Sequence, residues 1–337
     1  MSNCSINIKL IKIYLAAVIF VSVFIPKAES TVNYMTLSTS SARRTALAAP
    51  ATLKGYVAES PLNPAGFSLF SDAYQPRFEF FFNPMGAFIA AKGLQEGPEA
   101  DGVLNSQDVL LPLLILVKGF SVSYSAFNAG IVLGEQLQSD VAGKTNFEYF
   151  PLFDDYYNRL FLQFELHEKI ALGFSAELFS KKYKVESVGI SYGVMIKPGK
   201  MSVGVFYYML PERNQYDFLP IDRVAEETVN AGLSWEPTKI FKCFVDLRNV
   251  SEENSPAFLE PHLGIETTPW IHTSLRAGFY KEEGVDNAFM LGLGFCNLNY
   301  FRDLDDRSRQ KEYLFDYDLS LMPNNLTMHA LSMHLRL

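Results

Sequence analysis

The chain has 337 residues and a formal net charge of −8. This acidic balance argues against a nucleic-acid-binding protein, which would present a basic face to its ligand. The 28 Phe and 17 Tyr residues favour β-strands, in which aromatic side chains are enriched. Beyond the N-terminal region no stretch approaches 18 consecutive apolar residues, so the sequence predicts no transmembrane helix.

The first 30 residues have the pattern of a secretory signal peptide. Lys9 and Lys12 precede an apolar run at 13–24, and small residues follow up to Ser30. This order of a basic region, an apolar core and a small-residue cleavage site predicts export, with cleavage near Ser30. An uncleaved anchor is the alternative. Residues 31–74 are then expected to form an N-terminal leader or plug-like segment.

From Tyr156 to the C-terminus, apolar residues alternate with small or polar ones at a period of two. Leu160, Leu162 and Phe164, for example, alternate with Phe161 and Gln163, which is strand periodicity with one apolar face. No Lys, Arg, Asp or Glu falls on the apolar phase. The charges of these strands lie on the other phase, and those expected in the lumen are Lys242, Asp246, Arg248, Arg276, Asp316, Asp318 and Arg336.

This inverted pattern predicts an all-β protein: a transmembrane antiparallel β-barrel of about 14 strands over residues 75–337. A charge at the lipid midplane costs about 2–4 kcal/mol for Lys or Arg, whereas in a lumen the same charge can pair or stay hydrated. Closure follows because hydrocarbon leaves no partner for an open sheet edge. A large soluble β-sandwich is the alternative.

The connections between strands also form a pattern. Short turns are predicted at 167–169, 198–200, 236–239 and 267–270, and longer connections at 180–187, 211–226, 251–258 and 281–287. Strict alternation of short turns and long loops is typical of outer-membrane barrels. The charged connection 299–311 breaks the rule. Upstream, strands are predicted at 77–82, 110–117, 120–127 and 131–136, with Gly119 and Gly130 as breakers.

A short motif carries a family resemblance. Asn63-Pro64-Ala65-Gly66 resembles the segment near the N-terminus of the FadL-like superfamily of outer-membrane long-chain fatty-acid transporters, which includes the PorV-like barrels of protein secretion. The C-terminal strands from Leu263 onward are similar to the same group. The terminal Leu337 departs from the aromatic residue that usually ends such barrels. The resemblance implies a bacterial outer-membrane location and an N-terminal plug at about residues 45–70.

Two functions follow from this resemblance. The first is passage of small hydrophobic molecules across the outer membrane, and four aromatic residues on the lumen phase are candidates for its path: Phe161, Phe206, Tyr208 and Phe244. The alternative for these rings is that they fill a narrow barrel or pack on the plug. The second function is a non-transporting PorV-like barrel that docks or shuttles a secreted protein. Either one has outer-membrane lipid as a partner.

No catalytic signature is present in the sequence. It contains no phosphate loop, dinucleotide fingerprint, zinc-protease helix or nucleophile elbow, so we expect no enzyme, no catalytic residue, no cofactor and no metal. Cys243 and Cys296 fall in predicted strands. They are either a disulfide pair or two small apolar residues, and the sequence does not decide between these.

Overall fold

A computed structural model describes residues 32–35, 41–49, 51–55, 63–66, 76–84, 117–135, 155–167, 169–181, 184–209, 227–252, 260–281, 287–296, 312–322 and 326–337. The chain divides into two compact units, Met1–Val32 and Asn33–Leu337. The second unit holds the barrel and its interior. The predicted signal peptide and the predicted connections 211–226 and 299–311 lie outside the described residues.

Three elements precede the barrel: strand β1 (Val32–Met35), helix α1 (Ala42–Leu47) and a 3-10 turn (Pro64–Gly66). The barrel strands are β2 (Arg77–Phe82), β3 (Val117–Tyr124), β4 (Phe127–Glu135), β5 (Asp155–His167), β6 (Ile170–Lys181), β7 (Lys184–Ile196), β8 (Met201–Met209), β9 (Glu227–Thr238), β10 (Phe241–Glu252), β11 (Glu260–Trp270), β12 (Thr273–Tyr280), β13 (Ala288–Cys296), β14 (Glu312–Met322) and β15 (Leu326–Arg336). No helix in the described part of the chain is long and apolar enough to cross a membrane.

Strands β2 to β15 form a closed antiparallel barrel. Each strand pairs with the next along the chain, and β15 returns to pair with β2, while β1 lies beside β15 in the sheet. The closing register pairs His334 with Phe81, and the backbones of Phe78 and Leu337 exchange two hydrogen bonds of 2.9 and 3.2 Å. Closure confirms the predicted all-β barrel of about 14 antiparallel strands and excludes an open sandwich.

Burial alternates with period two along the strands, as the sequence predicts. On β6, Ile170, Leu172 and Phe174 are exposed on the outside, whereas Gly173 and Ser175 are buried inside. The same alternation holds on the other strands, with one interruption on β3, where a register shift opposite Phe81 and Phe82 leaves Lys118 and Gly119 both buried. Among the side chains that the structure describes, outward positions of β2 to β15 carry no Lys, Arg, Asp or Glu. The barrel is therefore apolar outside and polar inside.

Five short connections lie at one end of the barrel, here called the short-turn rim. They are residues 125–126, 168–169, 197–200, 239–240 and 271–272. The chain also enters β2 and leaves β15 at this end, because β2 begins opposite the C-terminus. The turn at Ser125 has a left-handed backbone, with φ of 53°.

Two predicted breakers prove to be strand residues. Gly119 lies within β3 and Gly130 within β4, and the chain turns between them at 125–126. The expected strands 120–127 and 131–136 were therefore wrong in their bounds. Gly119 sits where a Cβ would come within 3.2 Å of the Phe81 side chain, so close packing rather than a turn accounts for this glycine.

Other predicted boundaries are also corrected. The turns expected at 236–239 and 267–270 lie at 239–240 and 271–272, because the strands continue past Pro237 and Pro269 with register irregularities close by. Proline is tolerated at bulges and strand ends. The long connection expected at 180–187 is short, since Lys181 pairs with Lys184. A strand can continue into water beyond the apolar part of a barrel, so charged residues at its end do not indicate a loop.

The structure decides the state of the two strand cysteines and the placement of Tyr280. Cys243 and Cys296 carry no disulfide. Cys243 lies on the outward phase of β10, whereas Cys296 is buried on the inward phase of β13. Tyr280, at the end of β12, is buried, and its ring stacks on His262 with ring centroids 4.9 Å apart.

Candidate functional site in the barrel interior

The interior of the barrel holds part of the chain's own N-terminal region. We call residues 41–49, 51–55 and 63–66 the N-terminal segment. Its helix α1 contacts strands β11 to β15, and its 3-10 turn contacts strands β5 to β8. Most of its residues are buried, although many are small or polar. The candidate site is the boundary between this segment and the inner wall.

Helix α1 is short and is held by caps rather than by its length. Ser41 is the N-cap, and its hydroxyl accepts a hydrogen bond from the Arg44 backbone N–H at 3.1 Å. The Ala42 N–H donates instead to Ser332 Oγ on β15 at 3.0 Å. Ala48 ends the helix in the left-handed conformation, with φ of 57°. This turn directs the chain along the wall toward β10.

Arg43 anchors the helix through a bidentate ion pair. Its Nε and Nη2 donate to the two carboxylate oxygens of Glu266 on β11, each at 2.9 Å. The same carboxylate accepts from Arg276 Nε at 2.7 Å, and Arg276 Nη1 donates to Asp316 at 2.6 Å. All four side chains are buried. The pairing satisfies charges that would otherwise be costly to bury.

Backbone groups after the helix are held by three wall side chains. The Ala48 carbonyl accepts from Arg248 Nη2 at 3.0 Å, and His262 Nδ1 lies 2.9 Å from the same oxygen. The Ala51 N–H donates to the Asp246 carboxylate at 2.7 Å. Buried backbone groups need such partners, so these wall residues complete hydrogen bonds that the segment's short helix leaves open.

The Asn63-Pro64-Ala65-Gly66 motif folds into a local turn against the wall. Asn63 Oδ1 accepts from the Ala65 N–H at 3.0 Å, which closes an Asx turn. Asn63 Nδ2 donates to the Ala51 carbonyl at 2.7 Å and joins the two parts of the segment. Gln163 on β5 donates to the Ala65 carbonyl at 2.7 Å. A Cβ at Gly66 would overlap the Leu53 carbonyl oxygen, so only glycine fits there.

A belt of glycines on the inner wall makes room for the segment. Seven strands contribute to it: Gly173 on β6, Gly193 on β7, Gly204 on β8, Gly232 on β9, Gly264 on β11, Gly278 on β12 and Gly292 on β13. A Cβ on any of them would overlap atoms of the segment. At Gly264 and Gly278 the overlapping atoms are backbone carbonyl oxygens of the segment. The wall is thus shaped to the segment's main chain.

The four predicted aromatic residues are all buried inside the barrel. Phe206 and Tyr208 form an apolar cluster with Ala51. Phe244 packs with Leu47, Ala49 and Leu53. These three rings therefore pack on the N-terminal segment, which is the alternative left open by the sequence.

Phe161 lies in a group of side chains around Arg159, and this group also includes Tyr208. The Arg159 guanidinium lies 5.9 Å from the Phe161 ring and 5.5 Å from the Tyr208 ring. Arg159 also pairs with Glu177 and donates to Tyr208 Oη at 2.6 Å. Arg159 and Glu177 therefore place charged groups beside Tyr208, which belongs to the apolar cluster with Phe206 and Ala51.

The remaining predicted lumen charges have wall partners. Lys242 pairs with Glu236 at 3.2 Å, and Arg336 pairs with Glu312 at 2.7 Å. Asp318 accepts from Ser320 Oγ at 2.6 Å. Within the described ranges, no group of three His, Cys, Asp or Glu side chains is placed to hold a metal ion.

The sequence analysis identified neither the pairing of Arg43 with Glu266 nor the glycine belt. Arg43 and Glu266 lie 223 residues apart, so no local pattern links them. Glycines recur at inward positions of successive strands, and this recurrence could have been recognised in the sequence.

Comparison with solved structures gives low similarity to porins. No protein-family model matches the chain, and no curated protein sequence matches it. A triple mutant of the Rhodopseudomonas blastica porin has a TM-score of 0.38 at 9% identity and covers 78% of this chain and 98% of its own. A structure described by the asymmetric conductivity of engineered proteins has a TM-score of 0.37 at 9% identity, with the same coverage. Similarity this low assigns neither a family nor a function.

Proposed function

We propose that the barrel lies in a bacterial outer membrane, after export by a signal peptide cleaved near Ser30. The support is the absence of charge from the described outward positions, where a lysine or arginine at the midplane would cost about 2–4 kcal/mol. The closed barrel also pairs its backbone groups within the protein. An even strand number and short turns at one rim are typical of such proteins, and that rim would face the periplasm.

The N-terminal segment is proposed to be a plug that closes the lumen in the resting protein. It contacts the wall on opposite parts of the barrel, β5 to β8 and β11 to β15. Ion pairs, backbone hydrogen bonds and the glycine belt all hold it there. The proposed resting state is therefore a closed barrel and not an open, water-filled channel. Any passage requires the segment to leave part of its site.

The function that this arrangement supports best is passage of small hydrophobic molecules across the outer membrane. The observation that carries it is the pair of apolar clusters inside a polar lumen, where Phe206 and Tyr208 pack on Ala51 of the segment and Phe244 packs on its alanine and leucine side chains. When the segment moves, these rings offer an apolar surface that a hydrophobic solute can occupy. The resemblance to FadL-like transporters implies the same function. No catalytic step is proposed.

A reversible lock on the segment tests this proposal. Ala42 N and Ser332 Oγ are 3.0 Å apart, so these two positions are neighbours. A free-thiol assay on the oxidised protein first establishes that cysteines placed there form a disulfide, which needs Cα atoms about 4.4–6.8 Å apart. Cys243→Ala and Cys296→Ala remove the other cysteines of the described chain. We expect oxidised Ala42→Cys/Ser332→Cys protein to block entry of an apolar dye such as N-phenylnaphthylamine into cells. Reduction should restore entry.

The controls are the two single-cysteine variants, in which oxidation forms no intramolecular bridge. Dye entry should be equal in their oxidised and reduced forms. If the bridged protein admits the dye as fast as the reduced protein, passage does not require movement of the segment at this point, and the gated-passage proposal is wrong.

A second candidate is a non-transporting barrel that docks or shuttles a secreted protein, as PorV-like barrels do. The closeness of fit favours it, because the wall glycines Gly173, Gly204 and Gly264 leave no space between wall and segment. A permanent plug would need such a fit. Co-purification of a secreted protein with the oxidised lock variant, together with no dye entry in either redox state, would support this second function over the first.

A further inference from the structure

Three connections of the short-turn rim are tied side by side by backbone hydrogen bonds. The Lys197 N–H donates to the Lys169 carbonyl at 2.8 Å, and the Glu236 N–H donates to the Lys200 carbonyl at 2.8 Å. These bonds join the β5–β6, β7–β8 and β9–β10 connections into one continuous edge. Side chains from all three are therefore neighbours on this part of the rim.

This edge is basic although the whole chain is acidic. Its described residues include five lysines and two glutamates, within a protein of net charge −8: Lys169, Lys197, Lys200, Lys239 and Lys242 with Glu165 and Glu236. Glu168 lies outside the described residues. Glu236 is shared by Lys197 at 4.0 Å and Lys242 at 3.2 Å.

Lys169, Lys200 and Lys239 are exposed. Lys200 Nζ donates to the Pro237 carbonyl at 2.9 Å, a neutral acceptor that leaves its charge in place. The edge therefore offers ammonium groups to an outside anion.

Large apolar side chains stand among these lysines. Trp235 is 50% exposed, and Ile240 and Ile271, at the tips of two-residue turns, are 45% and 47% exposed. Such tips usually carry Gly, Asn or Asp when water surrounds them. Tryptophan favours the membrane–water interface, and lysine stems can lie along apolar surface while the ammonium group stays polar. The combination fits a headgroup layer better than open water.

We propose that this edge, formed by residues 165–167, 169, 197–200 and 235–242, binds anionic phospholipid headgroups of the leaflet at the short-turn rim. Lipid phosphates pair with Lys169, Lys200 and Lys239, and the upper acyl chains contact Trp235 and Ile240. Anionic lipid surfaces attract clustered lysines in this way. The inference rests on the proposed membrane location, and it adds a lipid class that the barrel prefers.

The chain provides its own probe of this edge. It has two tryptophans, Trp235 and Trp270, and both end up beside short turns at this rim. The full-length mature protein is reconstituted in phosphatidylcholine vesicles that contain equal small fractions of either brominated phosphatidylglycerol or brominated phosphatidylcholine. Bromine quenches tryptophan at contact distance, so the ratio of the two quenching curves measures lipid preference around the rim.

We expect brominated phosphatidylglycerol to quench about threefold more effectively than brominated phosphatidylcholine, as clustered lysines at an anionic surface would produce. The excess should disappear in the triple variant Lys169→Gln/Lys200→Gln/Lys239→Gln, which keeps Lys197 and Lys242 on Glu236. A matched control, Lys181→Gln/Lys184→Gln, changes two lysines at the opposite end of the barrel and should keep the excess.

Equal quenching by the two lipids would overturn the proposal, as would an excess that persists in the triple variant. These results differ from failure of the membrane location itself. In that case neither brominated lipid would quench the tryptophans, and the protein would not be recovered with the vesicles.

Discussion

Replacing Arg43 by methionine should release the N-terminal segment from the barrel wall. Arg43 makes two charge-assisted hydrogen bonds of 2.9 Å to Glu266, and both side chains are at most 5% exposed. Removing one partner of a buried ion pair costs about 3–5 kcal/mol. Arg276 still donates to Glu266 at 2.7 Å, so the lower end applies. A loss of about 3 kcal/mol raises the released fraction about a hundredfold.

Thiol labelling measures that release. Thr52 is 3% exposed, so a Thr52→Cys reporter, in protein with Cys243→Ala and Cys296→Ala, reacts with a water-soluble maleimide only when the segment leaves the wall. Arg43→Met should speed labelling about a hundredfold, in line with the estimated free-energy loss. Arg43→Lys keeps the charge but loses the bidentate geometry, and we expect an intermediate rate.

Arg336→Met is the matched control, because Arg336 pairs with Glu312 at 2.7 Å inside the wall and both partners belong to barrel strands. It should leave the reporter slow. Two results would refute the reasoning: an unchanged labelling rate in a correctly folded Arg43→Met barrel, or an equal acceleration in Arg336→Met. Either would mean that the Arg43–Glu266 pair does not hold the segment in place.

Two further predictions concern the wall. In Gly264→Ala the new Cβ overlaps the Leu47 carbonyl oxygen, and overpacking against backbone costs about 1–3 kcal/mol. The Thr52→Cys reporter should therefore be labelled about tenfold faster. An unchanged labelling rate would show that the glycine belt is not needed for the fit of the segment. Ile190→Arg, midway along β7, should destabilise the barrel in lipid vesicles by about 2–4 kcal/mol and so lower its folding yield, whereas Leu166→Arg beside the short-turn rim should destabilise it by only about 0–1 kcal/mol. Equal yields would contradict a lipid-facing outer surface.

The outward-facing positions of the barrel could be predicted from the sequence. Successive side chains of a strand point to opposite faces, and the two faces of this sheet have different surroundings. Leu160 and Leu162 face out and Phe161 faces in, as the alternation predicts. The turns were less accurate, since Pro237 and Pro269 look like breakers in a sequence but lie in strand ends beside register irregularities.

The interior could be predicted only in part. The inward phase of Asp246, Arg248 and Arg276 followed from their strands, but their partners did not, because Arg248 holds a carbonyl 200 residues away. Aromatic residues on the inward phase suggested a ligand path. Three of them contact the N-terminal segment. This packing could not be predicted from the strands alone, because it depends on the position of a part of the chain that is distant in sequence.

The claim that the chain forms a membrane-spanning barrel is tested most directly by heat modifiability. Protein extracted from an outer-membrane fraction is run on a gel with and without boiling, and its circular dichroism is recorded in detergent. We predict a mobility shift on boiling and a β-type spectrum, because a closed barrel of paired strands resists unfolding until heated. Recovery as a soluble monomer without detergent would contradict the membrane location.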